Sequence, residues 1–490
     1  MFTRARLKPL LYALGLVLAG CSSAPSHDTP QLPPDWFHGN EQASLEPSAL
    51  AHWWDQFDDP MLTATVTRAM QANYDARLAM LRVQAARAQL RQARASLFPI
   101  LDLPGSASRQ WIDVDPPASA RPQLEQLGLD LDDGISIDMW ELALQASWEP
   151  DIFGANRART QGARQQVRSA QAQAIGARLS VAAGAAQGYI RARTLEAQLA
   201  LLEEGQKIAG EFARISSFMF EAGEVTRLDV EASAAEHEAL AAQHEQVQIA
   251  LAEARLALDT LLARPPGTTA EQMRTAPPSS VPVARAAIAP GQPIDLLRRR
   301  PDLIAAAADL QGAELQSLAA RRDLFPKIAV QAAAGRSGFA LGDAISSASN
   351  FARLGATFAL PLLDYPRRQA AIELADVSGE QAFVSFQQTL AEALEDVERA
   401  LVNVDGQRRR QIALGRTLAH RERAHSMARR SYELGEANLA EVLDAQRSVL
   451  ETRGQVIEAR AALAGAQVAL YLALGGGWQQ PAPQAQQADR

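Results

Sequence analysis

Glu441 and Asp444 are two carboxylates three residues apart, one helical turn beyond a glycine turn at Gly435. At that spacing they face neighbouring directions on a helix. Carboxylates brought close together raise each other's pKa and attract cations; left on an open helix they form a solvated acidic face. Asp229 holds the corresponding place 212 residues earlier, beyond Gly223. His237 and His244 are the other suggestive pair, but seven residues on a helix is two turns, too far for one metal to bridge easily. They read as packing residues. There is no phosphate loop or zinc spacing. Cys21 is the only cysteine, which excludes an internal disulfide and a thiol metal cluster. The expectation is a protein that is not an enzyme and has no cofactor.

The elements that carry the acidic residues are written twice. Residues 73–98 match 300–325 at an offset of 227 without gaps, and each copy ends in Leu-Phe-Pro, at Leu97-Phe98-Pro99 and Leu324-Phe325-Pro326. Further on the offset is 212, where Phe220-Glu221-Ala222-Gly223-Glu224 meets Tyr432-Glu433-Leu434-Gly435-Glu436. The second copy is thus shorter by about fifteen residues, and the first carries a polar loop around Asp115 to Gly134. Each copy reads as a helix, two strands and two long helices joined by a glycine turn. The repeats span 62–264 and 294–474, with a Pro/Ala-rich linker at 265–293 and a Gln/Pro/Ala-rich tail at 475–490 expected to be disordered.

Val442, Ala445, Val449, Thr452, Val456, Ala459, Leu463, Ala466 and Leu470 keep a 3.5-residue period, and Val230 to Leu261 repeat it. Such a period means left-handed coiled-coil packing. The stretch from Arg157 to Phe220 has no proline and would run roughly 95 Å as one helix. The helices expected at about 62–97 and 226–263 are near half that length.

Trp140, Leu142, Leu144, Ala146 and Trp148 alternate with polar or small residues; so do Ile328, Val330, Ala332 and Ala334, and Leu354, Ala356, Phe358 and Leu360. This is the membrane β-barrel pattern, apolar out and polar in. The segment after Pro99 is weaker, because Pro104 and Gly105 interrupt it. Four strands cannot close a barrel, and an open sheet cannot sit in lipid with unsatisfied edges. At least eight strands are needed, so two or three chains must share one barrel. No apolar stretch beyond the N-terminus reads as the ~20-residue membrane helix.

Arg4, Arg6 and Lys8 precede a short apolar run, Leu10 to Leu18, and then Leu18-Ala19-Gly20-Cys21. This reads as a signal peptide over 1–20 with a lipobox, making 21–61 a lipidated N-terminal segment anchored at Cys21. Ser22, where aspartate would retain a lipoprotein in the inner membrane, points to the outer membrane. The formal charge of −8 and the absence of a basic run argue against nucleic acid.

Trp53-Trp54-Asp55-Gln56-Phe57-Asp58-Asp59-Pro60-Met61-Leu62, the paired Leu-Phe-Pro triplets, Arg299-Arg300-Pro301-Asp302-Leu303, and Tyr432-x-x-Gly435 with Val442-Leu443-Asp444-Ala445-Gln446 together resemble the outer membrane factor family, the TolC-like channels, in its lipoprotein branch. The resemblance covers nearly the whole mature chain. It implies a homotrimer with a twelve-stranded β-barrel, four strands per chain, continued by a coiled-coil α-helical tunnel. It also implies outer-membrane lipid, a periplasmic adaptor and an inner-membrane efflux pump as partners. Gly223, Glu224, Gly435 and Glu436 would be adaptor-docking tips. Glu441 and Asp444 match the acidic constriction, and Tyr432 matches a tyrosine that bonds the acid at Asp229. Ala437 departs from relatives that carry a locking arginine there. The function so implied is a passive exit duct for small molecules. A type I protein-secretion duct has the same fold, and heptads alone also suit a coiled-coil tethering lipoprotein. The Arg298–Arg300 cluster, before a helix-starting proline, reads as structural.

Overall fold

The computed structural model describes residues 32–38, 50–113, 135–275, 280–285, 289–341, 345–361 and 363–478, with isolated positions between 114 and 134. The signal segment, Cys21, most of the polar loop after Ile112 and most of the tail therefore lie outside the described residues. The chain divides into two compact units, a sheet unit (85–167 and 308–383) and a helical unit (29–84, 168–307 and 384–490).

In the sheet unit, β1 (Ile100–Asp102), β2 (Gly105–Ile112), β3 (Ile135–Trp148), β4 (Lys327–Leu341) and β5 (Ile345–Ala359) form one antiparallel sheet. β1 and β2 keep a single register against β3, with Asp102 opposite Gln145 and Gly105 opposite Leu142. They are one strand interrupted at Leu103–Pro104, where proline has no N–H for the ladder. The sheet thus has four strand positions. Its register aligns the apolar rows read from the sequence: Trp148 faces Val330, Ala146 faces Ala332, and Ala332 faces Leu354. Because side chains alternate, all of them share one face. Asp102, Glu141, Gln145, Gln331 and Arg353 lie on the other. Trp140 and Trp148 bracket about 26 Å of strand at ~3.3 Å per residue. At the helix-side end Trp148 Nε1 donates to the Leu97 carbonyl at 3.1 Å, and Phe153 stacks on Phe325 at 4.8 Å.

Among the described residues, the α-helices longer than one turn are α1 (Pro60–Ala72), α2 (Tyr74–Ala95), α3 (Ala155–Glu221), α4 (Arg227–Leu261), α5 (Thr268–Thr275), α6 (Pro301–Arg322), α7 (Tyr365–Glu433) and α8 (Leu439–Ala473). α2 and α6 share their length and an offset of 227; α4 and α8 share theirs at 212. The long helices α3 and α7 have 67 and 69 residues.

Two sequence expectations need correction, and a third gains detail. The helix expected over 62–97 is two, because Asn73 is extended (ψ 139°). Its Oδ1 accepts from the backbone of Asp75 and Ala76, and its Nδ2 donates to the Leu261 carbonyl. The linker at 265–293 contains α5, held because buried Asp259 accepts from the backbone N–H groups of Gly267 (2.7 Å) and Thr269 (2.8 Å). The tail expected to be disordered begins with buried residues: Gly477 N–H donates to the Leu50 carbonyl at 2.7 Å, and Trp478 Nε1 to the Arg299 carbonyl at 3.0 Å.

The helical unit's core gathers Trp53, Leu62, Tyr189, Leu258, Leu470 and Leu474. The Trp53 ring stacks on Tyr471 at 5.4 Å. The heptad of α8 is buried at Val442, Val449, Thr452, Ala459, Leu463, Ala466 and Leu470. α8 is also long and apolar enough over Ala440–Ala473 to pass as a membrane span, which the sequence reading did not find. Half of its most apolar window is buried, so its hydropathy is that of a core helix.

Candidate functional site

The two glycine turns are built alike within the helical unit. α3 ends when Gly223 takes φ +80°, its N–H donating to Phe220 O and that of Glu224 to Met219 O. α7 ends with Gly435 at φ +78°, its N–H bonded to Tyr432 O and that of Glu436 to Ser431 O. Both are Schellman closures, in which a left-handed glycine lets the chain fold back over the last carbonyls. Gly223, Glu224, Gly435 and Glu436 are all exposed. A Cβ at either glycine would have nothing within 4 Å, so both turns stand open.

The following helices begin three residues beyond each turn. Thr226 caps α4 in a reciprocal box with Asp229: the Asp229 N–H donates to Thr226 Oγ1 at 3.3 Å, and the Thr226 N–H and Oγ1 donate to Asp229 Oδ2 at 2.9 and 2.7 Å. Asn438 caps α8, accepting from the Glu441 N–H at 2.9 Å. Asp229 and Glu441 are therefore both third residues of their helices, where the dipole favours negative charge. The Thr226 hydroxyl and backbone N–H hold the Asp229 carboxyl below its ordinary pKa.

Tyr432 departs from the reading by resemblance. Its hydroxyl lies 3.5 Å from Met219 Sδ rather than on Asp229, whose carboxylate is occupied by its own cap. The contact joins the ends of α3 and α7. Glu441 and Asp444 are exposed on α8. Asp444 borders a groove of about 200 Å³ with Gly205, Phe212, Glu236, Leu240 and Arg447. There Arg447 Nε reaches Glu236 Oε1 at 3.3 Å, tying α8 to α4. Glu236, and more weakly Asp444, push the Arg447 guanidinium up. Arg453 likewise bridges Glu204 of α3 (3.1 Å) and Glu422 of α7 (3.0 Å). Burial, with Arg429 and Arg453 beside it, lowers His425.

His237 packs against Gly210, where an added Cβ would be 3.2 Å from its ring. His244 faces Glu203 at 3.7 Å and Glu245 at 3.6 Å. Among the described residues no group of three or more His, Cys, Asp or Glu is placed to hold a metal ion.

Two buried networks escaped the sequence reading. Tyr189, 1 % exposed, donates to Asp59 at 3.0 Å and accepts from Arg193 Nε at 2.9 Å; Arg193 reaches Glu196, which also takes Arg255. Burial pushes the Tyr189 hydroxyl up. Arg300, the last residue of the Arg298–Arg300 cluster, donates to Asp302 (2.7 Å), Asp396 (3.1 Å) and the carbonyls of Ala393 and Ala473. That agrees with a structural reading of the cluster. The one sequence signal for the first network was Asp59-Pro60, an N-cap followed by a helix-starting proline.

The family model for outer membrane efflux proteins matches residues 65–264 and 293–476, most of both repeats. The chain is similar to the pyoverdine export outer membrane protein OpmQ of Pseudomonas aeruginosa, at 27 % identity over 465 residues, covering 95 % of each chain. It is also similar to the cation efflux system protein CusC of Escherichia coli, at 27 % over 482 residues, covering 96 % of this chain and 99 % of that protein. Its fold matches the solved structure of the outer-membrane channel OprN with a TM-score of 0.80 at 25 % identity, covering 94 % of this chain and 100 % of the other. The long paired helices, the sheet with one apolar face and the family match over both repeats agree: the chain belongs to the outer membrane efflux protein family, and it is an outer-membrane channel component of tripartite efflux systems rather than an enzyme.

Proposed function

We propose that three copies of this chain form one passive exit duct, a twelve-stranded barrel in the outer membrane continued by an α-helical tunnel. The observation that carries it is the sheet: four strand positions, one apolar face and two open edges. In lipid each unpaired edge N–H and C=O costs several kcal/mol, about the price of a lost buried hydrogen bond per group. Pairing β5 with the β1–β2 edge of the next copy removes both edges. The equal bounds of α2 and α6, and of α4 and α8, support an origin by internal duplication.

The lipid anchor at Cys21 rests on the lipobox alone and acts as a supplementary tether, since the shared barrel already holds the duct. The turns at Gly223–Glu224 and Gly435–Glu436 dock a periplasmic adaptor, which links the duct to an inner-membrane pump. Glu441 and Asp444 line the narrow end, with Asp229 and Tyr432 beside them; three copies bring six of these α8 carboxylates near one axis. The cargo is a small molecule. The names of OpmQ and CusC, a pyoverdine export protein and a cation efflux protein, support export of that class over protein secretion.

The test is a purified, full-length chain in a planar bilayer. A heat-modifiable trimer with discrete conductance steps is expected. A monomeric, soluble product without pores after Cys21→Ser would instead identify a tether.

A further inference from the structure

We propose that the rim of the sheet's apolar face binds the phosphate of an acylated outer-leaflet glycolipid such as lipid A, with Arg336 as the phosphate-binding cation. The proposal rests on the reading of this sheet as part of a lipid-facing barrel. Among the described residues, the apolar face carries only three charged side chains: Arg109, Asp138 and Arg336. Arg109 and Asp138 are register partners and bond each other in a two-pronged pair, one contact being 2.6 Å. On the opposite face Lys327 lies 3.6 Å from Glu149 and 3.4 Å from Asp323, and Arg353 lies 3.7 Å from Glu141. Arg336 alone of the sheet's cations has no carboxylate within ion-pair distance among the described residues. Its register partners are Leu142 and Asn350.

An unpaired guanidinium on a lipid-facing surface is costly unless it reaches an anion at the interface. Position favours that reach. Arg336 lies five residues from the β4 end at Leu341 and nine from Lys327, the end nearest the helices, so it sits in the outer half of the strand. Two residues further out is Gly338, where an added Cβ would be 2.5 Å from Trp140 Nε1. The indole therefore lies across β4 on the same face as Arg336, as an interfacial tryptophan does. Below Arg336 the face offers Ala334, Ala332 and Val330 between Leu144 of β3 and Leu354 of β5, a shallow apolar strip suited to an acyl chain. A planar fork matches two phosphate oxygens, and Asn350 directly opposite supplies an amide donor.

The test uses the full-length trimer, equilibrated with phosphatidylethanolamine vesicles containing lipid A or phosphatidylglycerol, and native mass spectrometry to count retained lipid. Pore formation is checked in the same preparations. Arg336→Gln is expected to retain lipid A about fivefold less well than wild type, the factor for one interfacial cation. Arg336→Lys is expected to lie between the two, and Arg353→Gln, on the other face, to match wild type. Full lipid A retention by Arg336→Gln in trimers that form pores would overturn the proposal, as would an equal loss in Arg353→Gln. An equal loss of phosphatidylglycerol would overturn the commitment to the glycolipid. A wild-type chain that forms no pore would reject the barrel reading, and this site with it.

Discussion

Arg300 is where the helical unit is most exposed to a single change. Its guanidinium is nearly buried, with a side chain 11 % exposed, and it serves four acceptors from three places in the chain: Asp302, Asp396 and the carbonyls of Ala393 and Ala473. Desolvation opposes the charge, but the hydrogen bonds and charges of Asp302 and then Asp396 outweigh it and raise the pKa. Ala473 ends α8, so Arg300 also places a cation at a helix C-terminus. Removing one side of a buried charged network costs about 3–5 kcal/mol. The two carboxylates are 44 % and 42 % exposed and regain water once freed, so their share is discounted. What remains is chiefly the two stranded carbonyls and the lost packing. Arg300→Ala should therefore destabilise the protein by about 3 kcal/mol. Arg300→Lys keeps the charge but cannot span four acceptors, and should recover about half of that. Urea unfolding in detergent, followed by helical circular dichroism, measures both. An Arg300→Ala midpoint equal to wild type, or Lys no better than Ala, would refute the reasoning.

Three further outcomes follow from the geometry. Replacing Glu441 and Asp444 together with alanine should reduce the cation-to-anion permeability ratio by about twofold or more, as fixed negative charge near the axis is lost; unchanged reversal potentials in planar bilayers would remove both from the constriction. Asp229 has a depressed folded pKa, so its capping contribution is present above the unfolded carboxyl pKa and is lost only as pH falls through the lower folded value. Amide exchange at the start of α4 should thus stay protected at mildly acidic pH in wild type, and Thr226→Ala should lose that protection; identical pH profiles would count against the box. Gly338→Leu should drive the new side chain into Trp140, costing about 1–3 kcal/mol by overpacking, and lower the temperature at which the trimer dissociates on gels. An unshifted temperature would mean that Trp140 has room to move.

Period was the legible part of this fold. Repeats at 227 and 212 residues, heptads on α4 and α8 and alternation on β3 to β5 all recur often enough to survive single exceptions, and the helix bounds keep the same offsets. Single side chains acting at a distance were not legible. Asn73 breaks a helix without being Pro or Gly, because its amide reaches Leu261. Gly475 to Gly477 look like the start of a loose tail, yet Gly477 fits against Leu179 and Trp53, where a Cβ would be 2.7 Å from Leu179 Cδ2. Arg300 gave only a charge cluster and a following proline, while three of its four acceptors lie 93 and more residues away.

The acidic site falls between these cases, and what it lacked in the reading was a local rule. Thr226-x-x-Asp229 and Asn438-x-x-Glu441 are capping patterns that the sequence displays openly. Applying that rule separates two acids that the offset of 212 makes equivalent. Asp229 spends its carboxylate on Thr226, so it is a poor partner for Tyr432 while α4 stays capped. At the other turn only the backbone N–H of Glu441 is engaged, by Asn438, and its carboxylate has no partner among the described residues. Both acids carry charge, but free accepting capacity is unequal between the two turns: it lies with Glu441 on α8, with Asp444 one turn further along. A duct closed by hydrogen bonds to acids near an axis would draw its free acceptors from the second repeat, while the first repeat's acid adds charge and caps its own helix.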